Sequence, residues 1–194
     1  LFCHYIRRRE IIRNVDDLWP EVFYDLGVVK SNFLKKILDF LALKSYNIPK
    51  MIIPVSEGYV PTLINKYNVS KSKISVIEHG VDTKKFFPQK HTNSKKIIMY
   101  SGAINIGYDF DLVLNCAKYL ENENIKFIIR GTGDLSELIK KNIQQNSISN
   151  VVLDTVLVDS NKLVKILQSA DFFIFPMSKV VGIDTGLPTK IFEY

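Results

Sequence analysis

The chain has 194 residues, 46% hydrophobic and 24% charged, with 26 Lys+Arg against 20 Asp+Glu and a net charge of +6. That profile is globular, and no run approaches the roughly 18 apolar residues that a membrane-spanning helix needs. Arg7-Arg8-Arg9 precedes no long apolar stretch, so it is not the charged start of a signal peptide. Cys3 and Cys116 lie far apart and imply neither a disulfide framework nor a metal site, which fits a reduced, cytoplasmic setting.

In chain order, the first segment with helical apolar spacing is Phe33–Leu41, with Lys35 and Lys36 on its rim. We read it as a core-facing helix, with contact to a membrane surface as the alternative. Lys50–Val55 reads as a buried strand, and Ser56 as the cap of a helix that puts Tyr59, Val60, Leu63, Ile64 and Tyr67 on one face. Ile74–Ile77 is a second short strand ending in the turn His79-Gly80-Val81-Asp82. Gln89–Lys96 is polar throughout and reads as a surface loop.

Four strand–helix units follow. Ile97–Ser101 leads to a helix near Asp109–Leu120, and Phe127–Arg130 leads through Gly131-Thr132-Gly133 to a helix near Leu135–Ile143. Val151–Leu153 leads to a helix carrying Leu163, Ile166 and Leu167, with Asp159 or Ser160 as its cap. Phe172–Phe175 is the last strand, closed by Pro176. Continuous apolar strands alternating with helices predict an α/β, Rossmann-like domain with a parallel sheet covered on both faces.

Ligands of such sheets bind beyond the carboxyl ends of the strands. Those ends carry Gly102, Gly131 and Gly133, which either let a phosphate approach the backbone or simply make tight turns. The chain then closes on Gly186-Leu187-Pro188, with Thr189 as the expected N-cap of a final helix and Lys190 in its first turn. Together these features predict a nucleotide or sugar-phosphate site. Basic residues cluster at Arg7-Arg8-Arg9 with Arg13, and at Lys30, Lys35 and Lys36. Without zinc spacing, a helix-turn-helix cue or stacking aromatic motifs, nucleic acid is not the expected partner. His4, His79 and His91 are read as surface or turn residues rather than catalytic bases.

Several blocks, in order, resemble the family 4 retaining glycosyltransferases of the GT-B fold. They are Asp17-Leu18-Trp19-Pro20-Glu21, Val55-Ser56-Glu57-Gly58-Tyr59, Ser75–Asp82 with Phe86 and Pro88, Tyr100-Ser101-Gly102, Arg130–Gly133, Ser169-Ala170-Asp171 and Pro188–Tyr194. The resemblance implies that residues 1–80 are the tail of the acceptor-side N-terminal domain. It implies that 81–194 are the donor-binding domain, truncated, so that the chain is an internal piece of a longer enzyme. The implied activity moves a sugar from a nucleotide-diphospho-sugar to a glycan or lipid-linked acceptor in surface polysaccharide or glycoconjugate synthesis. No metal is expected, and the enzyme would be cytoplasmic, with peripheral contact at the inner face of the membrane. A nucleotide-sugar 2-epimerase of the same fold and a binding fragment without activity are the alternatives.

The resemblance also assigns residues. The donor-binding set is Gly102, Gly131, Gly133, Thr189, Lys190 and Glu193, with no catalytic residue assigned. Glu193 matches the second glutamate of the family's Glu-x7-Glu motif, which holds the donor ribose. Thr185 stands at the first glutamate's position, with Asp184 as a substitute. The loop Gly102–Asp109 lacks the Arg and Lys that many members place there against the leaving diphosphate. Lys190, Lys179, Arg130 or backbone N–H groups are the candidates to replace them.

Overall fold

A computed structural model of the chain describes residues 9–90, 92–178 and 186–194. Its described residues form two compact units. One takes the residues up to His79 with 186–188, and the other takes Gly80–Ser178 with Thr189–Tyr194.

In the first unit, β1 (Ile12–Val15) pairs in parallel with β2 (Met51–Pro54), Ile12 opposite Met51 and Val15 opposite Pro54. Between them run a short helix α1 (Glu21–Asp25) and the long helix α2 (Asn32–Asn47). Beyond β2, Ser56 caps a single 3-10 turn through the Gly58 N–H at 3.0 Å, and α3 (Val60–Asn65) continues from it. The expected strand at Ile74–Ile77 survives as one parallel bridge, Ile52 to Ile74. The Ser75 and Ile77 N–H groups then donate to the Ile52 and Pro54 carbonyls.

The core of this unit gathers Val15, Leu18, Ala42, Tyr46, Ile52, Val55, Tyr59, Leu63, Tyr67 and Val69. Its three buried tyrosines keep their hydroxyls paired, as burial requires. They donate to Trp19 O at 2.6 Å, Asp16 O at 3.1 Å and Glu21 Oε1 at 2.6 Å. Arg13 is part of the packing and not of a free basic patch: its guanidinium sits 4.1 Å over the Tyr46 ring and donates to Ser45, and burial lowers its pKa. Arg7 and Arg8 of the same cluster lie outside the described residues, as do Cys3 and His4.

The core-facing reading of Phe33–Leu41 is corrected here. The helix meets the core with its C-terminal half, where Ala42 and Tyr46 are fully buried. Phe33, Leu34, Ile37, Phe40 and Leu41 are exposed, Phe33 at 75% and Phe40 at 59%. They keep helical spacing, but the core takes the residues that follow them, Ala42 and Tyr46.

The second unit is built on β3 (Lys96–Ser101), β4 (Ile125–Arg130), β5 (Val151–Asp154) and β6 (Phe172–Phe173), all parallel, in the order β5-β4-β3-β6. The helices are α4 (Phe110–Tyr119), α5 (Ser136–Gln145), α6 (Ser160–Leu167) and the short α7 (Lys190–Glu193). Asp109 caps α4 by accepting from Leu112 N at 2.9 Å, and Asp159 caps α6 through Asn161 N and Lys162 N. Tyr100, Ile104, Phe110, Val113, Leu114, Ala117, Phe127, Ile129, Ile139, Ile148 and Val151 form the core. The parallel α/β organisation read from the sequence is the one observed. Its consequence is topological: the chain moves outward from β3 through β4 to β5, then returns to place β6 on the other side of β3. The strand order therefore reverses at β3, and a crevice at the carboxyl ends belongs beside it.

Candidate functional site

The loops at those carboxyl ends are fixed by main-chain bonds that carry the parallel ladder past the strands. Gly102 N donates to Arg130 O at 2.9 Å, Ile104 N to Thr132 O at 2.9 Å, and Gly131 N to Asp154 O at 2.9 Å. The loops after β3 and β4 come so close that a Cβ on Gly131, whose φ is +142°, would overlap the Gly102 carbonyl oxygen. A Cβ on Gly133 would overlap the Ile104 carbonyl in the same way. Packing of the chain on itself therefore accounts for both glycines.

On the β6 side the 102–109 loop is tied to the segment after the strand. Asp109 N donates to Pro176 O at 2.8 Å, Ser178 N to Gly107 O at 3.0 Å, and Tyr108 bridges Met177. α7 docks against this frame through Tyr194. Its hydroxyl donates to Ser101 O at 2.8 Å and accepts from Ser101 N at 3.0 Å, and its ring stacks on Phe173 at 4.2 Å. Burial, the larger effect, pushes the Tyr194 phenol up to about 12, so it is neutral at neutral pH and able to donate.

That docking delivers Lys190 to the switch point. Its ammonium donates to the Tyr108 hydroxyl at 2.8 Å and to the Tyr100 hydroxyl at 3.2 Å. It also lies over the rings of Tyr108, Tyr100 and Phe175, at 4.3, 5.1 and 5.9 Å from their centroids. The side chain runs over Gly102, where any Cβ would overlap its Cε and Nζ. Gly102 is thus the floor of the lysine's channel. Tyr100 is fully buried and its hydroxyl donates a hydrogen bond to Ala103 O; burial, then its neighbours Tyr108 and Tyr194, push its pKa up. The cation is held by neutral partners, so its charge is not cancelled.

Thr189 stands at the N-cap position of α7, but it has helical dihedrals and makes no side-chain cap bond, against expectation. Glu193 lines a cleft of about 570 Å³ beside the β6 edge, with Phe86, Phe87, Phe172, Phe173 and Tyr194. α7 thus turns its lysine and its glutamate to different surroundings. Arg130 is not available to a ligand: it is 4% exposed, pairs with Asp154 and donates to Val156 O at 2.6 Å. Lys179, Asp184, Thr185 and His91 lie outside the described residues. Tyr100, Tyr108 and Phe175 were missed as site residues. Their signal was an aromatic at three strand or loop ends that meet at one edge, which only the strand order reveals.

The family model described as glycosyl transferases group 1 matches residues 81–194. The chain belongs to that family. Among curated proteins it is 23% identical over 159 residues to an N-acetylgalactosamine-N,N'-diacetylbacillosaminyl-diphospho-undecaprenol 4-alpha-N-acetylgalactosaminyltransferase of Campylobacter jejuni subsp. jejuni. That alignment covers 80% of this chain and 42% of the relative. Among solved structures, HepE of Anabaena in complex with UDP-glucose superposes with a TM-score of 0.67 at 13% identity, covering 89% of this chain and 48% of its own. TarM of S. aureus, in a complex that includes UDP, superposes with a TM-score of 0.61 at 19% identity, covering 84% and 31%. The structural likeness is one of fold, that of the GT-B glycosyltransferases. The chain spans less than half the length of the curated relatives it matches.

Proposed function

We propose that the protein acts in glycosyl transfer, moving a sugar from a nucleotide-diphospho-sugar to a glycan or lipid-linked acceptor with retention of anomeric configuration. The observation that carries this reading is the Lys190 cation, held in a neutral aromatic cage at the switch point of a domain matched by the group 1 family. A diphosphate leaving group gathers negative charge as the glycosidic bond breaks, and a fixed cation in a partly dry site stabilises that charge without reorganising. Lys190 supplies what the 102–109 loop, with no Arg or Lys of its own, does not. In this reading the reaction is metal-independent, since protein groups serve the leaving group.

The lipid-linked part of the proposal draws on the Campylobacter relative, whose acceptor carries diphospho-undecaprenol by name. The exposed apolar face of α2, flanked by the exposed Lys30, Lys36 and Lys44, supports peripheral contact with an anionic membrane in this protein. A radiolabelled nucleotide-sugar assay tests the function. Label appears in an added polyprenol-linked or glycan acceptor, nucleoside diphosphate is released, and chelator changes neither. Conversion of the donor to its 2-epimer with no acceptor present would replace transfer by epimerisation.

A further inference from the structure

We infer that Tyr108 is a positioning residue for the Lys190 ammonium, aiming one of its N–H groups at an oxygen of a bound nucleoside diphosphate. The inference rests on the diphosphate reading above and names the groups that make the lysine fit for it.

An ammonium has three N–H donors. Two are engaged, at 2.8 Å by Tyr108 and at 3.2 Å by Tyr100, which leaves one. A lysine stem has four rotatable bonds, and an unrestrained one spreads its charge over many rotamers. Here the stem is confined below by Gly102, and the head by two hydroxyls and three ring faces. The partners are neutral phenols: a carboxylate in either place would hold the lysine as well but cancel the charge the leaving group needs. Tyr108 is the half-buried member of the pair. Tyr100 is fully buried in the core, whereas Tyr108 stands on the loop that is stitched to Pro176–Ser178 and sits edge-on to Phe175 at 5.4 Å. The loop that lacks its own cation therefore contributes the group that orients a cation arriving from α7.

The test uses the intact chain, with UDP and GDP followed by calorimetry and the corresponding nucleosides followed by NMR titration. Lys190→Met is expected to weaken the bound diphosphate about tenfold or more, as loss of a charge-assisted hydrogen bond does. Tyr108→Phe keeps the ring and removes the closer acceptor; it is expected to weaken the diphosphate by about three- to tenfold. Nucleoside binding stays unchanged in both. The double variant is expected to bind no more weakly than Lys190→Met alone, because Tyr108 acts through the lysine. Native-like diphosphate binding by Tyr108→Phe, while Lys190→Met is impaired, overturns the positioning role and leaves the site reading standing. Equal loss of nucleoside and diphosphate in Tyr108→Phe also overturns it, since the effect is then general. Native-like binding by Lys190→Met, or no diphosphate binding by the native chain, removes the reading beneath it.

Discussion

Arg130 offers a sharp separation of structure from function. As a cation at the end of β4 it invites assignment to the diphosphate, yet its side chain is 5% exposed and committed to Asp154, itself 29% exposed. Arg130→Met leaves a carboxylate that can partly rehydrate, so the expected loss is about 2 kcal/mol. Asp154→Asn strands a guanidinium that cannot lose its charge, and about 3 kcal/mol or more is expected. In Arg130→Met/Asp154→Asn neither charge remains, and more than half of the summed loss of about 5 kcal/mol should be recovered, a coupling of about 3 kcal/mol. The single tryptophan, Trp19, lies in the first unit and does not report on this pair. Amide exchange at Ile128 and Ile129 does, since those residues pair with Val152 and Leu153 on β5. A loss of about 2 kcal/mol appears there as roughly thirtyfold faster exchange. UDP affinity, corrected for the unfolded fraction, should not move. Additive single effects, or a selective loss of UDP affinity in Arg130→Met, would refute the assignment of Arg130 to structure.

Asp171 accepts from Lys96 Nζ at 2.8 Å, Ile97 N at 2.8 Å and Asn93 Nδ2 at 3.0 Å, with Lys96 the largest influence, and together they hold its carboxyl well below the usual range. A depressed folded pKa contributes stability that is complete above the unfolded value of about 3.9 and is lost as pH falls below it. The urea midpoints of native protein and Asp171→Asn should therefore differ at pH 6 and converge as pH drops from about 4 to 2; a gap independent of pH would contradict the linkage. For the α2 face, Phe33→Ser/Phe40→Ser should reduce sedimentation with anionic phosphatidylglycerol vesicles by at least about tenfold, the equivalent of partly burying two phenyl groups. Equal binding of native and variant protein, or no binding by either, would remove the membrane from the proposal.

The strand–helix alternation from Lys96 onward was legible because each strand is a nearly continuous apolar run, and α4 and α6 carry the polar caps Asp109 and Asp159. The helix Asn32–Asn47 was legible as a helix but not in its burial. Periodicity gives the face of a helix and not what lies opposite it, and here the core takes Ala42 and Tyr46, with Leu43 packed against it. At the site, Lys190 could be picked out by its place after a Gly-Leu-Pro turn. Its cage could not, because Tyr100, Tyr108 and Phe175 are brought together by the return of β6 to the far side of β3. Arg130 misled for the same reason: its partner Asp154 sits 24 positions on, joined through a strand register that no local pattern encodes.

The interlocked glycines have a further consequence for how this sequence can change. Gly131 exists for the Gly102 carbonyl, Gly133 for the Ile104 carbonyl, and Gly102 for the stem of Lys190. A substitution tolerated in one loop would depend on the state of the other loop and of α7, three places spread over some 90 residues of the chain. Loop grafts between relatives must therefore carry Gly102–Asp109, Gly131–Gly133 and Lys190 across as one block.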